Sequence, residues 1–355
     1  SSAVHPEFRE YERLSTTVLN AYLQPVIVAY LENLERILRK KIRNASVGIM
    51  QSNAGLMSLE TARKFPIRTV LSGPAAGSIG AQKIANKANR ADVITLDMGG
   101  TSADVCLIKN GRLGYSFDQS IADFPIRQSV IDINTVGAGG GSIAKVNDAG
   151  LLEVGPQSAG ADPGPICYGR GGREPTISDA NLLLGRLDVS KLKSVPGAVD
   201  LGKIRAIFQK KLGDPLATNA ETAAAAVLQM ATTRMAGATR MVSVSLGEDP
   251  RDFSLFAFGG AGPMHATALA RELGVPEVLV PARPGITNAL GCIVADLKHD
   301  FVRTVNRPLD LIDIEQVTTI IHTQRDEGMA LIRQEPLAIN EIRVAHSLDM
   351  QFVGQ

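Results

Sequence analysis

The sequence is poor in cysteine, has no surplus of either charge and contains no long apolar run. Its three cysteines, Cys106, Cys167 and Cys292, are odd in number and widely spaced. That excludes a disulfide framework and a Cys-x-x-Cys metal site, and it points to a reducing, cytoplasmic setting. Lys and Arg number 37 against 36 Asp and Glu. There is no excess cation to neutralise a nucleic acid backbone and no polybasic patch for a membrane surface, so small-molecule or protein partners are expected. No run of about eighteen apolar residues suggests a membrane span, and the charged opening SSAVHPEFREYERLSTT is unlike a signal peptide. That opening lacks Met and enters in what reads as a running loop. What is present is enough for a globular core of one large domain or two: 355 residues, 45% of them apolar.

Apolar residues recur at helical spacing from Glu10 to Arg43, which predicts one or two long helices with a kink or break at Pro25. Short β-type runs follow at Val47 to Met50 and Ile67 to Leu71, the second leading through SGPAAG into a helix. Val93 to Leu96, Val105 to Ile108 and Leu113 to Phe117 read as three strands, with Lys-Asn-Gly at 109 to 111 a hairpin signal. Glycine is dense from Val136 to Pro175, which predicts a long segment poor in regular structure. Helices are expected at 177 to 187, 203 to 212, 219 to 241, after Gly262 to near Leu273, after Pro284 and at 314 to 333. Strands are expected at 254 to 258, 277 to 280, 301 to 305 and 343 to 352. Alternating strands and helices indicate an α/β fold, and no internal repeat interrupts it.

The string LDMGGTSADVCLI at 96 to 108 resembles a phosphate loop but fits neither common type. A Walker loop and a dinucleotide fingerprint both end in a helix, and here a second strand follows the glycines. In a strand-turn-strand loop, Gly99 and Gly100 let the backbone approach a phosphate, while Thr101 and Ser102 donate from their hydroxyls. Asp97 would hold a hydrated Mg²⁺ or orient a water. The plain alternative is a β-hairpin with a Gly-Gly turn and a solvated Asp. A second motif, FAFGGAGPMH at 256 to 265, ends a strand and opens a helix, so that Gly259, Gly260 and Gly262 can lie against a purine or ribose. Its alternative is an ordinary strand-to-helix turn. Together the two have the layout of the actin and sugar kinase ATPase superfamily. This sets the expected fold: ribonuclease H-like or actin-like, a mixed sheet flanked by helices with an inserted Gly-rich segment.

Other candidates carry bland alternatives. Asp132 and Thr135 precede GAGGGS and are pocket candidates, or else a turn-capping Asp and a strand Thr. Gly139 and Gly140, with Gly141 and Ser142, form a second backbone cradle or a tight crossing under a helix. Asp179 and Asn181 open a helix, where capping by Ser178 or Asp179 explains the string. His265 reads as structurally satisfied in preference to a ligand, and Cys167 as a buried structural thiol.

Seven ordered strings resemble the hydantoinase A and 5-oxoprolinase family: REYERLSTTVLNAYLQP at 9 to 25, LSGPAAG at 71 to 77, DMGGTSADV at 97 to 105, TVGAGGGSIA at 135 to 144, SAGADPGPICYG at 158 to 169, SDANLLLGRL at 178 to 187 and AFGGAGPMHA at 257 to 266. The resemblance implies an ATP-dependent cyclic amide hydrolase that phosphorylates a ring carbonyl before hydrolysis, using ATP with Mg²⁺ or Mn²⁺; Asp97 and Asp132, from their places at the two glycine motifs, are the expected catalytic residues. It also implies a hydantoinase B-type partner and an oligomer. Acetone and acetophenone carboxylase subunits are relatives, so an ATP-dependent carboxylase is the alternative, and a non-catalytic nucleotide-sensing domain is another. The family's N-terminal domain carries another Asp-x-Gly-Gly-Thr motif that has no counterpart here. The resemblance therefore implies a helical lead-in at 1 to 90, an ATPase-like domain at 91 to 300 and the start of a C-terminal region at 301 to 355, inactive when isolated.

Overall fold

The computed structural model describes all residues except 8, 43–45, 122, 189–199, 336–338, 351 and 353–355. In chain order the regular elements are α1 (Glu10–Lys41), β1 (Gly48–Met50), β2 (Leu56–Ser58), α2 (Leu59–Lys64), α3 (Ser72–Lys87), β3 (Val93–Met98), β4 (Ala103–Lys109), β5 (Arg112–Leu113), β6 (Tyr115–Ile121), β7 (Phe124–Ile131) and β8 (Ile133–Val136). They continue with β9 (Ser142–Val146), β10 (Leu152–Ser158), α4 (Ile177–Leu183), α5 (Leu201–Phe208), α6 (Ala220–Ser245), β11 (Ser254–Phe258), α7 (Gly262–Leu273), β12 (Glu277–Leu279), α8 (Thr287–Val294) and α9 (Ile314–Gln334). They form two compact units, one from Ser1–Ser72, Tyr115–Val130 and Ala295–Gln355, the other from Gly73–Gly114 and Ile131–Val294. Each unit is assembled from separated stretches of the sequence.

The second unit is built on a mixed six-stranded sheet of order β12-β11-β3-β4-β5, with β8 also paired to β4. β12, β11 and β3 run parallel, while β4 is antiparallel to β3, β5 and β8. The β4–β5 connection is the expected tight turn, with Asn110 and Gly111 both at positive φ. β11 is buried at every position, as suits a strand covered on both faces. α7 packs on β11 and β3, and the long Ala-rich α6 packs on β4, β8, α4 and α7. Small side chains such as Ala223, Ala224, Ala231 and Ala236 let α6 sit close in that core.

In the first unit α1 runs uninterrupted through Pro25. The proline sits on the solvent side of the helix, where the carbonyl it deprives of a partner can be hydrated. One side of α1 packs Ile27, Leu31 and Leu34 against Ile49, Met57, Leu59 and Ala62. By length and composition α1 is apolar enough to cross a membrane, contrary to the reading of the sequence, with a mean hydropathy of 1.2 over its best stretch.

Other expectations also change. Ile67 to Leu71 is not a strand: Pro66 opens a 3-10 turn over Pro66–Thr69, and Leu71 takes a positive φ just before α3. The glycine-dense segment contains a bulged hairpin, β9 with β10. The described residues at 301 to 305 and 343 to 352 form no strand.

Candidate functional site

Everything described here lies in the second unit. β3 and β11 are parallel neighbours with Phe258 opposite Asp97, so both deliver their carboxyl ends to one edge of the sheet. That edge is where open α/β sheets bind ligands. β4 turns back from β3 in a register that sets Asp104 directly opposite Asp97, with both side chains on one face.

The turn joining those strands is Gly99 to Ser102. Gly99 N donates to Ser102 O at 3.1 Å and closes it. The N–H groups of Gly100, Thr101 and Ser102 donate to no described residue, and Gly99 to Thr101 are exposed. A β-carbon added at Gly99 or Gly100 would meet nothing within 4 Å, and neither residue has a left-handed φ. The chain's own packing therefore does not account for glycine at either position.

Two other glycine segments grip this turn. Gly140 N donates to Gly99 O at 2.9 Å and Gly141 N to Gly100 O at 2.6 Å, while Gly139 N donates to the Ser142 hydroxyl at 2.9 Å. The N–H groups at 139 to 141 are thus spent inside the protein and form no outward cradle. A β-carbon at Gly139 would overlap the Thr101 backbone and come 2.6 Å from Gly100 C. On the other side, Ala261 N donates to Met98 O at 2.9 Å. Gly259, at φ +82°, lies so close that a β-carbon would overlap Asp97 Oδ1 and stand 2.6 Å from Met98 O. Gly262 opens α7 against Leu96 O, and Gly260 faces open space. Of the three glycines expected to meet adenosine, Gly259 is required by packing and backbone conformation, Gly262 is tight against Leu96 O at 3.2 Å from an added β-carbon, and Gly260 is free.

Asp97 is held from α8. Asn288 Nδ2 donates to Asp97 Oδ2 at 2.9 Å and reaches Gly73 O at 3.2 Å. Burial raises the Asp97 pKa against that hydrogen bond. Asp104 is raised as well, first by burial and then by the Asp97 charge, while the Thr135 hydroxyl donates to it at 2.6 Å. Asn288 and Asp104 were not among the residues read from the sequence. Asp104 sits inside the quoted DMGGTSADV string and β-strand alternation could have flagged it.

Asp132 lies elsewhere. β8 separates it from the glycine loop, so it stands some 13 Å or more along the strand from the phosphate-type turn. There it adjoins Leu107, Leu113 and Gly114. Asp179 is a buried brace. Thr176 caps α4 and Asp179 completes the capping box, its carboxylate accepting from Thr176 N at 3.1 Å, Ile166 N at 3.2 Å and Cys167 N at 2.7 Å. Cys167 is fully buried beside it, and burial pushes its thiol upward. Asn181 Nδ2 lies 3.2 Å from His265 Nε2 and also donates to Ile177 O. An amide with both protons so used requires a lone pair on Nε2 and places the imidazole proton on Nδ1. Burial, with the charge of Arg186, pushes His265 down to about 4.

Comparison with known proteins gives the chain its relatives. A family model described as hydantoinase/oxoprolinase matches residues 13–301. The caprolactamase subunit alpha of Pseudomonas jessenii is 39% identical over 357 residues, covering 99% of this chain and 51% of that subunit. The acetophenone carboxylase gamma subunit of Aromatoleum aromaticum is 32% identical over 365 residues, covering 100% of this chain and 49% of that subunit. The crystal structure of the ATP-dependent caprolactamase from Pseudomonas jessenii superposes with a TM-score of 0.80 at 38% identity, over 94% of this chain and 48% of that one. The chain spans about half the length of these relatives. By the extent of the family match and by these identities, the chain belongs to the hydantoinase/oxoprolinase family.

Proposed function

We propose that this chain is the ATP-binding portion of an ATP-dependent cyclic amide hydrolase with an actin-like nucleotide site. The observation that carries the reading is the turn at 99 to 102. It has glycine where packing does not demand it and N–H groups with no described partner, as expected of backbone that receives phosphate oxygens. The Thr101 and Ser102 hydroxyls add donors, and the Gly259 to Gly262 turn lies beside them for the adenosine. Gly139 and Gly140 then act by holding the turn in shape.

In this reading phosphoryl transfer to the amide carbonyl oxygen leaves the ring carbon electrophilic. Water adds there, the C–N bond of the tetrahedral adduct breaks with the nitrogen leaving as a protonated amine to give an acyl phosphate, and a second water releases the phosphate. Asp97, positioned by Asn288, orients that chemistry from beneath the turn, and Asp132 is given no part in it. Among the described residues no group of three or more His, Cys, Asp or Glu could hold a metal ion. Asp97 is the acidic residue beside the turn that would hold a hydrated magnesium, which would supply charge neutralisation to the phosphates. Residues 1–355 hold no second Asp-x-Gly-Gly-Thr string, and we assign the other phosphate-binding motif that the family resemblance implies to polypeptide outside them.

The test is phosphate release by the chain together with its co-purifying partner polypeptides. Stimulation by caprolactam, 5-oxoproline or a hydantoin is the expected result. The relationship to a carboxylase subunit supports a second reading, and release stimulated only by a ketone with bicarbonate would select it. Nucleotide binding without turnover under any condition would reject both and leave a sensing domain.

A further inference from the structure

β3, β11 and β12 run parallel and end at one edge of the sheet, so the loops that follow them share that edge. After β3 comes the phosphate-type turn, after β11 the turn at 259 to 262, and after β12 the segment VPARPGI at 280 to 286, which leads into α8. Adjacent strands lie about 4.8 Å apart, which sets this third loop about 10 Å from the first, on the far side of the second.

The third loop is firmly seated. Pro284 O accepts from Gly259 N at 3.0 Å and from the Thr287 hydroxyl at 3.1 Å, and Arg283 O accepts from Ile286 N at 3.2 Å. The chain then continues to Asn288, which donates to Asp97 Oδ2 at 2.9 Å. One short stretch thus touches both the turn at 259 to 262 and the acid beneath the phosphate-type turn. Its outer side is open. Arg283 is exposed, and among the described residues its guanidinium has no ion-pair or hydrogen-bond partner. Ile286 is 52% exposed. Residues three apart eclipse in a 3-10 turn, so Arg283, at the N-cap of the turn over Pro284–Ile286, and Ile286 stand on one side of it. A β-carbon added at Gly285 between them would meet nothing within 4 Å. A planar cation with an aliphatic side chain beside it suits the π-face of a heterocyclic base.

We propose that Arg283 is a base-stacking residue, its guanidinium lying on the purine of the bound nucleotide with Ile286 alongside. This placement rests on the nucleotide reading: phosphate at 99 to 102 and adenosine at 259 to 262 direct the base toward the loop after β12. Calorimetry on the chain with its co-purifying partner polypeptides tests it. Arg283→Ala should weaken ATP, ADP and AMP by one common factor of about tenfold, with the melting temperature within about 2 °C of the parent. Arg283→Lys keeps the charge but loses the plane and should bind as weakly as the alanine variant, whereas Arg283→Tyr keeps a plane and should stay within about threefold of the parent. Unchanged ATP affinity in Arg283→Ala, a loss graded from ATP through ADP to AMP, or rescue by lysine and not tyrosine would each overturn the stack. Loss of a co-purifying polypeptide from Arg283→Ala at unchanged ATP affinity would overturn it as well and give the loop to that polypeptide. A parent protein that binds no ATP would reject the nucleotide reading itself, and the stack with it.

Discussion

Replacing Gly139 with alanine tests how the phosphate-type turn is held. The new methyl would overlap the Thr101 backbone and stand 2.6 Å from Gly100 C, whereas ordinary carbon contacts lie at about 3.5 to 4.0 Å. The 139 to 141 loop must retreat by about 1 Å, and overpacking of this kind costs about 1–3 kcal/mol. Retreat also stretches the bonds from Gly140 N to Gly99 O and from Gly141 N to Gly100 O. Those bonds contribute about 1 kcal/mol each. A loss of about 4 kcal/mol, at roughly 2–4 °C per kcal/mol for a unit of this size, lowers the melting temperature by about 10 °C. Gly100→Ala is the opposite case. Its methyl enters open space, so the melting temperature should stay within about 2 °C, while ATP affinity measured by calorimetry falls at least about tenfold because the methyl stands where phosphate would approach. If Gly139→Ala melts like the parent, or Gly100→Ala binds ATP normally, the division between a buttress and a receiving turn is wrong.

Four further outcomes follow from the same geometry. Asp97→Asn should reduce substrate-stimulated phosphate release at least about 100-fold without lowering the melting temperature, since it removes a carboxylate whose pKa burial raises. Asn288→Ala removes the bond that lowers the Asp97 pKa, so the acid limb of the pH–rate profile should move to higher pH; an unmoved limb would dissociate Asp97 from the rate. His265 is depressed to about 4 from 6.5, so the unfolded chain binds a proton below pH 6.5 that the folded chain refuses until about pH 4. Stability from this group is complete above pH 6.5 and falls by about 2 kcal/mol on going from pH 7.5 to 5, a slope that urea titrations of His265→Asn should lack. Asp179→Ala strips the acceptor from three buried backbone N–H groups and should cost about 3–5 kcal/mol, seen as a drop of about 10 °C or more in the melting temperature.

Local signals survived translation into structure where the physics is local. The apolar alternation and paired glycines of 93 to 108 gave β3 and β4, Asn110-Gly111 gave the turn, and the small-residue run at 219 to 241 gave most of α6. The β-branched run before Leu71 misled because Pro66 fixes the backbone for a helical turn before strand pairing is available. The site was legible in the same uneven way. Glycines at 99 and 139 look alike in a sequence, yet one faces open space and the other touches backbone across the chain. Asn288 could not be found locally, since its partner Asp97 lies 191 residues away. Asp132 was drawn in by adjacency to the glycine loop, but a strand of four residues carries it off along the sheet.

The bond from Ala261 N to Met98 O, with Gly259 pressed against Asp97, ties the turn at 259 to 262 to the end of β3, from which the turn at 99 to 102 begins. For a nucleotide held at both, the span from base to phosphate is then a fixed gauge, set by adjacent parallel strands. On the proposed reading, discrimination between triphosphate and diphosphate then falls to groups on the exposed side of Gly99 to Ser102 and not to a change in this span.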